Sequence, residues 1–309
     1  MSKVIQIAIL GRISGNVNAD EVVGNRTTLK KMYSSDGEVL PFVSARAVKY
    51  AVRQAFKERN DELLKIDPFY EDPEAADALR LKDSCRPDLY VDNDLFGYMV
   101  TKGTGGKGEA FKRQAPVALS YFKAIKDTPI KSEFAARFPR SGEKEANPVP
   151  FEVEVADFVG RLNVLIYDYV GDFTKSTKLT KEVKVKTLEK EIRTKRLSTF
   201  IEILLTPSYV LARRTNSLSI PEYYAALIYM SDQGPAPIYQ YLDYHHSDKG
   251  AQVDIDKLKF MLSRKEVSRK EGNTQIHIID YGSYVGELAE ISKTNVRNVI
   301  ETACQFLFS

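Results

Sequence analysis

The most informative stretch of this sequence covers residues 41–57 and reads PFVSARAVKYAVRQAFK. Its apolar residues recur at helical spacing, which predicts an amphipathic helix over residues 44–58 with one side packed on a core. Ser44 is a natural N-cap, and the unpaired amides of a helix start attract anions. This predicts a phosphate-binding helix, although a solvated basic helix has the same pattern. One narrow stripe opposite the apolar side carries Arg46, Lys49, Arg53 and Lys57.

The segments around this helix follow the order of a known family. A long predicted strand comes first, over residues 4–14, followed by a polar loop and an Asp36-Gly37 turn. A hydrophobic segment, a serine at the helix start, and a lysine and an arginine on the helix complete the order. With these motifs the chain resembles the Cas-seven backbone subunits of type I CRISPR effector (Cascade) complexes, DevR-like members of the repeat-associated RNA-binding superfamily.

The resemblance implies which residues bind RNA. In that family the first helix grips the guide RNA backbone, and Lys49 and Arg53 match its lysine and arginine. Family members often carry Ser-Ser-Gln at the helix cap, where this chain has Ser44-Ala45-Arg46. The implied RNA-binding residues are Asn18, Arg26, Lys30, Lys31, Ser44, Arg46, Lys49, Arg53, Lys102, Lys107, Arg213, Arg214 and Asn216.

Two further stretches agree with the family. The stretch DLFGY at residues 94–98 precedes a basic, glycine-rich loop, which is expected to close over a phosphate backbone. The polar loop LARRTNSLS at residues 211–219 follows a long predicted helix. By resemblance it belongs to a thumb that clamps the guide, where Tyr209 is expected to stack on an exposed base.

Strand and helix signals alternate without the regular rhythm of a parallel doubly wound sheet, which indicates an α+β fold. An N-terminal strand, a helix and later antiparallel strands predict a modified ferredoxin-like palm, as in RNA recognition motifs. We expect one elaborated domain, with the palm at about 1–57, 115–205 and 222–309, a finger-like insertion at about 58–114 and a thumb-like segment at about 206–221. Predicted strands cover 4–14, 116–125, 151–155, 162–169, 223–230 and 274–281, and predicted helices cover 44–58, 73–81, 180–205, 254–270 and 285–308.

Composition indicates an ordinary globular protein without a membrane anchor. Of the 309 residues, 43% are hydrophobic and 28% are charged, and no apolar run approaches the roughly 20 residues that span a bilayer. Cys85 and Cys304 lie too far apart in the sequence to suggest a disulfide framework or a zinc site, so we expect a cytoplasmic protein. The net charge is only +3, but acids dominate residues 61–94 and cations dominate residues 175–196. Such segregation suits a protein that holds a polyanion on one surface, although solvated helices also produce it.

The sequence predicts neither a metal site nor a cofactor. His245 and His246 stand near two aspartates, but adjacent histidines point in different directions on a helix or a strand. Surface histidines are therefore expected. The glycine-rich loop lacks the Walker spacing, and no Rossmann fingerprint or nucleophile elbow is present.

A catalytic alternative comes from type III relatives in the same superfamily, which cut target RNA with a loop aspartate upstream of the first helix. The corresponding loop here covers residues 24–32 and reads GNRTTLKKM, with Asp20 and Asp36 on either side. Cations replace the acid where a scissile phosphate would lie. This favours binding over cleavage.

The resemblance thus implies a noncatalytic subunit that polymerises along CRISPR RNA and presents it for pairing. Its partners would be CRISPR RNA, target DNA reached through the guide, copies of itself and other effector subunits, with no membrane. Two alternatives stay open. One is a superfamily ribonuclease that uses Asp20 or Asp36, and the other is a standalone RNA-binding regulator that does not polymerise.

Overall fold

The computed structural model describes residues 2–16, 19–68, 84–102, 109–137, 148–175, 178–207, 209, 211, 219–248, 250–268 and 272–309. The strands in these ranges are β1 (Val4–Gly15), β2 (Ala19–Val23), β3 (Arg26–Leu29), β4 (Lys31–Tyr33), β5 (Val39–Val43), β6 (Tyr98–Lys102), β7 (Glu109–Arg113), β8 (Val117–Leu119), β9 (Phe122–Ala124), β10 (Lys131–Arg137), β11 (Val149–Tyr167), β12 (Glu222–Ser231), β13 (Tyr244–Ser247), β14 (Gly250–Val253), β15 (Thr274–Asp280) and β16 (Ser292–Thr294). The helices are α1 (Ala45–Glu58), α2 (Val91–Phe96), α3 (Lys190–Leu205), α4 (Ile255–Ser263) and α5 (Val296–Phe308).

The centre of the molecule is an antiparallel sheet with the strand order β12-β1-β11-β9. Ile7 of β1 lies opposite Val164 of β11 on one side and Ile228 of β12 on the other. In chain order, α1 follows β1 and α3 follows β11, so these elements form the βαββαβ arrangement of a ferredoxin-like fold. The predicted α+β fold with an RNA-recognition-motif-like palm is confirmed.

Both faces of the central sheet are buried. On one face Ile5, Ile7 and Ile9 belong to a core that includes Phe56 of α1 and Phe200 of α3. On the other face, Ala8 and Leu10 join a second core that includes residues of β12 and α4. This double burial explains why β1 is a continuous apolar run rather than an alternating one.

Strand β11 corrects two of the sequence predictions. The predicted strands at 151–155 and 162–169 are parts of one strand, because the chain continues without a turn from Val149 to Tyr167. Its second half pairs with β1, and its first half leaves the palm to pair with β10 and β3. The predicted strand at 116–125 is instead divided into β8 and β9.

Three predicted helices are shorter in the structure. Helix α3 begins at Lys190 rather than at residue 180, because β-branched residues at 183, 185 and 187 disfavour a helix and the amide of Leu188 bonds the carbonyl of Gly171. Helix α4 ends at Ser263 rather than at residue 270. Helix α5 begins at Val296, after β16 has paired with β15. The predicted helix at 73–81 lies outside the described residues.

A buried charge cluster attaches α2 to the palm. The Asp94 carboxylate accepts hydrogen bonds from Arg113 of β7, from Arg196 of α3 at 2.9 Å, and from the amide of Gly171 at 3.0 Å. All three side chains are at most 3% exposed. At Gly97, φ is +65° and a Cβ atom would lie 2.5 Å from the carbonyl oxygen of Arg113, so only glycine fits between α2 and β7. Among the described helices, none is long and apolar enough to cross a membrane.

Candidate nucleic-acid interface

Helix α1 begins as the sequence predicted, with a polar and cationic first turn. The Ser44 hydroxyl accepts a hydrogen bond from the amide of Ala47 at 3.2 Å, and the first turn contains no acid. Arg46 is exposed in this turn. Because the positive end of the helix dipole disfavours a cation there, an anion that joins Arg46 and the free amides would relieve the repulsion.

The four cations of the stripe differ in their exposure to solvent. Arg46 and Lys57 are exposed and Lys49 is half-buried, but Arg53 is only 8% exposed. The Nε atom of Arg53 donates to the Oδ2 atom of Asp92 at 2.9 Å. The prediction that Arg53 belongs to a solvent-facing stripe is therefore wrong, because α2 covers this end of α1, a contact that helical periodicity does not report.

Lys49 is half-buried beside an aromatic ring and a second cation. Its Nζ atom is 5.3 Å from the centre of the Phe96 ring, and the Arg53 guanidinium is 5.1 Å from the same ring. Burial lowers the pKa of Lys49, and the nearby charge of Arg53 lowers it further. A phosphate beside Lys49 would stabilise the charged amine, so this position is suited to an anion.

The segment predicted as a cationic loop is mostly β structure. Residues 26–29 form β3, and residues 31–33 form β4. Arg26 pairs with Glu152 at 2.6 Å, and Lys31 pairs with Glu154 at 3.0 Å. Carboxylates from β11 offset the charge of these two side chains, and their role in RNA binding stays a prediction. Lys30, between the two strands, is half-buried.

The loop proposed to stack a base contains a structural tyrosine instead. Tyr209 is 1% exposed, and its hydroxyl bonds the hydroxyl of Tyr223 at 2.5 Å. The Tyr223 hydroxyl donates in turn to the carbonyl of Leu204 at the end of α3. Burial raises the pKa of Tyr209. Tyr209 is held in the core beside the end of α3, so the prediction that it stacks on nucleic acid is wrong.

The other predicted residues divide into two groups. Asp36 is exposed in the turn between β4 and β5, while Lys102 ends β6 and Asp20 lies in β2, both described by their backbone alone. The predicted RNA-binding residues outside the described part of the chain are Asn18, Lys107, Arg213, Arg214 and Asn216.

The histidines and cysteines stand apart from the helix start. His245 and His246 are exposed on β13, and Cys85 and Cys304 are buried free thiols. Within the described residues, no group of three or more His, Cys, Asp or Glu side chains is placed to hold a metal ion.

Comparison with known proteins identifies the family. The family model described as "CRISPR-associated negative auto-regulator DevR/Csa2" matches residues 13–250. The chain belongs to the DevR/Csa2 family. The resemblance deduced from the helix-start motif is thereby confirmed, and no curated protein sequence matches the chain.

Two solved structures share the fold of this DevR/Csa2 family member at low sequence identity. One is a chain of a "CRISPR RNA-guided surveillance complex, pre-nicking", with a TM-score of 0.64 and 11% identity over 98% of this chain and 99% of that chain. Another belongs to a "CRISPR RNA-guided surveillance complex", with a TM-score of 0.57 and 12% identity over 97% of this chain and 99% of that chain. The similarity extends over almost the whole of each chain.

Sequence reasoning missed the residues of the DevR/Csa2 chain that hold Lys49 and Arg53 in place. These are Asp92 and Phe96, both on α2 and buried. From the sequence, the acid-rich stretch around them indicated only that charge is segregated along the chain. The sequence of α2 contained one indication of this. Its acids share a short helix with leucine and phenylalanine, and acids that are buried with such residues need cationic partners.

Proposed function

We propose that this DevR/Csa2 family member is a noncatalytic backbone subunit that binds CRISPR RNA in the cytoplasm and polymerises along it. Its partners would be the guide RNA, target DNA paired with the guide, further copies of itself and other effector subunits. The observation that carries the proposal is the start of α1, where helix-start amides, an exposed Arg46 and a half-buried Lys49 come together. The fold shared with chains of RNA-guided surveillance complexes supports it.

The chemistry of this helix start suits a sugar-phosphate backbone rather than bases. Amides and flexible cations contact phosphates of any sequence, and in RNA-guided systems base pairing of the guide supplies the specificity. Arg53 contributes indirectly, because its pair with Asp92 fixes α2 and the Phe96 ring under Lys49. The proposed contacts in the described residues are thus Ser44, Arg46 and Lys49.

Removal of the two accessible cations should weaken RNA binding and reduce its dependence on salt. Log affinity falls with log salt, and each lost phosphate contact on a single strand reduces the magnitude of this slope by about 0.7. Arg46→Ala/Lys49→Ala should therefore reduce it by about 1.4. The measurement is a titration of fluorescent single-stranded RNA at several salt concentrations.

The matched control removes two exposed lysines from α4 and the residues after it, which pack on the second core. Lys259→Ala/Lys265→Ala changes the net charge equally, and both side chains are exposed in or just after α4. This variant should keep the wild-type slope. Equal slopes in all three proteins would refute the assignment of α1 as the phosphate-binding element.

A subunit that repeats along a guide should show a copy number set by RNA length. Head-to-tail contacts that do not close into a ring grow into an open helix, so each added length of RNA should recruit one more subunit. Native mass measurements on RNAs of increasing length should reveal increments of 34.9 kDa per protein, with the RNA recovered intact.

The family description names a negative auto-regulator, so the alternative to test is a standalone RNA-binding regulator that does not polymerise. That protein would show one fixed stoichiometry at every RNA length. Regularly spaced RNA fragments in the presence of magnesium, abolished by Asp20→Ala or Asp36→Ala, would instead support the ribonuclease. The three outcomes are distinct in a single experiment.

A further inference from the structure

Next to the start of α1, two aromatic rings form a surface that the proposed phosphate contacts do not use. Tyr121 lies just before β9 and stacks on Phe42 of β5, with ring centres 4.8 Å apart and ring planes 21° apart. Phe42 is two residues before the Ser44 cap. We propose that the Tyr121–Phe42 pair is a stacking platform for an unpaired base of single-stranded nucleic acid, an inference that rests on the proposed function.

A β-bulge presents Tyr121 to solvent. Leu119 pairs with Val164 of β11, whereas Lys123 pairs with Arg161, so the segment from β8 to β9 contains one residue more than β11 between these pairs. The amide of Ser120 bonds the carbonyl of Asn163, and the amide of Asn163 donates back to the Ser120 hydroxyl, both at 2.9 Å. Bulges commonly re-aim a side chain, and here Tyr121 lies in the bulge between β8 and β9 and is 48% exposed.

The platform has one covered face and one open face. Tyr121 is 48% exposed although its ring is stacked on Phe42, so the exposed area lies away from that contact. Phe42 is half-buried and is held in β5 by pairing with Lys123. A ring supported from below and open above is preorganised to stack a base, because no side chain has to be ordered on binding.

The surroundings favour a polyanion. Phe42 and Tyr121 lie in two segments, 39–57 and 110–126, that contain no aspartate or glutamate, and the exposed acid next in sequence, Asp127, accepts a hydrogen bond from the amide of Val39. Lys123 is the direct strand neighbour of Phe42, and exposed Arg46 follows the cap. Cations beside a stacking ring are the usual composition of single-strand binding sites.

A second exposed aromatic ring gives a useful contrast. Phe134 of β10 is 76% exposed, but Glu133 and Asp157 line the cleft beside it. Acids at a rim disfavour a phosphate backbone and suit a protein partner better. The charge around each ring therefore distinguishes the Tyr121–Phe42 platform from a general apolar surface.

The absence of tryptophan from the chain allows a direct test. Tyr121→Trp creates a protein with a single tryptophan, whose fluorescence should be quenched when oligoadenylate binds and its bases stack on the indole ring. An oligomer of the same length and charge with abasic sites should bind through phosphates without this quenching. Phe260→Trp, at an exposed aromatic position on α4, should stay unquenched with both oligomers.

Affinity measurements supply a second readout. Tyr121→Leu should bind oligoadenylate about tenfold more weakly while Tyr121→Phe stays close to wild type. Both variants should keep the wild-type salt slope, since no cation is removed. Phe260→Leu should bind like the wild type.

The outcomes separate this inference from the proposed function. Suppose that wild-type protein binds RNA with the expected salt slope, but the indole of the Tyr121→Trp variant is unquenched or is quenched equally by the abasic oligomer. The platform is then refuted and the backbone function stands. Full affinity in Tyr121→Leu would refute the platform equally. If wild-type protein binds neither oligomer, the proposed function fails, and the platform fails with it.

Discussion

Asp94→Asn should lower the free energy of unfolding by about 3–5 kcal/mol, because it leaves two buried guanidinium groups without their common anion. The Asp94 carboxylate is fully buried and contacts Arg113 and Arg196, which come from β7 and α3. An amide keeps the shape of the carboxylate and removes its charge. Chemical denaturation followed by far-UV circular dichroism measures the loss as a shift of the transition midpoint.

Asp36→Asn is the matched control for this variant. Asp36 is exposed in the turn between β4 and β5, so its change should stay within about 0.5 kcal/mol of the wild type. A loss below about 1 kcal/mol in Asp94→Asn would mean that the cluster contributes little to the attachment of α2.

Arg53→Ala should also cost about 3–5 kcal/mol of stability, because it leaves Asp92 buried without its cation. Burial raises the pKa of Asp92 even with Arg53 beside it. A carboxyl whose pKa is raised in the folded state is unfavourable there when ionised, so it destabilises the protein as the pH rises. The protonated carboxyl carries no such cost. The deficit of Arg53→Ala should therefore shrink as the pH falls toward the acidic range where Asp92 becomes neutral.

Arg46→Ala on the same helix provides the contrast. Loss of this exposed side chain should cost less than about 0.5 kcal/mol of stability, although it is expected to weaken RNA binding. A double-mutant cycle of Arg53→Ala and Asp92→Ala should give a coupling energy within the range of about 0.5–3 kcal/mol seen for residues in contact. If Arg53→Ala weakened RNA binding with unchanged stability, Arg53 would be a surface contact and the buried pair would be refuted.

Features that depend on a few neighbouring residues could be predicted without coordinates. The apolar run of β1, the Ser44 cap and the periodicity of α1 are each local, and local geometry alone places a cap or an amphipathic face. The strand and helix order around them was enough to predict the ferredoxin-like palm and the CRISPR-associated family. The starts of α3 and α5 were placed too early, because competing hydrogen bonds and the β16 pairing involve other parts of the chain.

Whether each charged side chain is exposed or paired depended on contacts with residues far away in the sequence. Arg53 meets Asp92 from 39 positions away, and Arg26 meets Glu152 from 126 positions away. Whether a cation on a helix is free for phosphate or neutralised in the interior is set by which element packs over it, and no local periodicity carries that information. Local sequence does not predict the surroundings of Tyr121 either. Its exposure depends on a bulge opposite β11, and its ring stacks on Phe42 of β5. The helix and the family could therefore be predicted from local sequence, while tertiary packing decided which cations of the helix are exposed and which are paired in the interior.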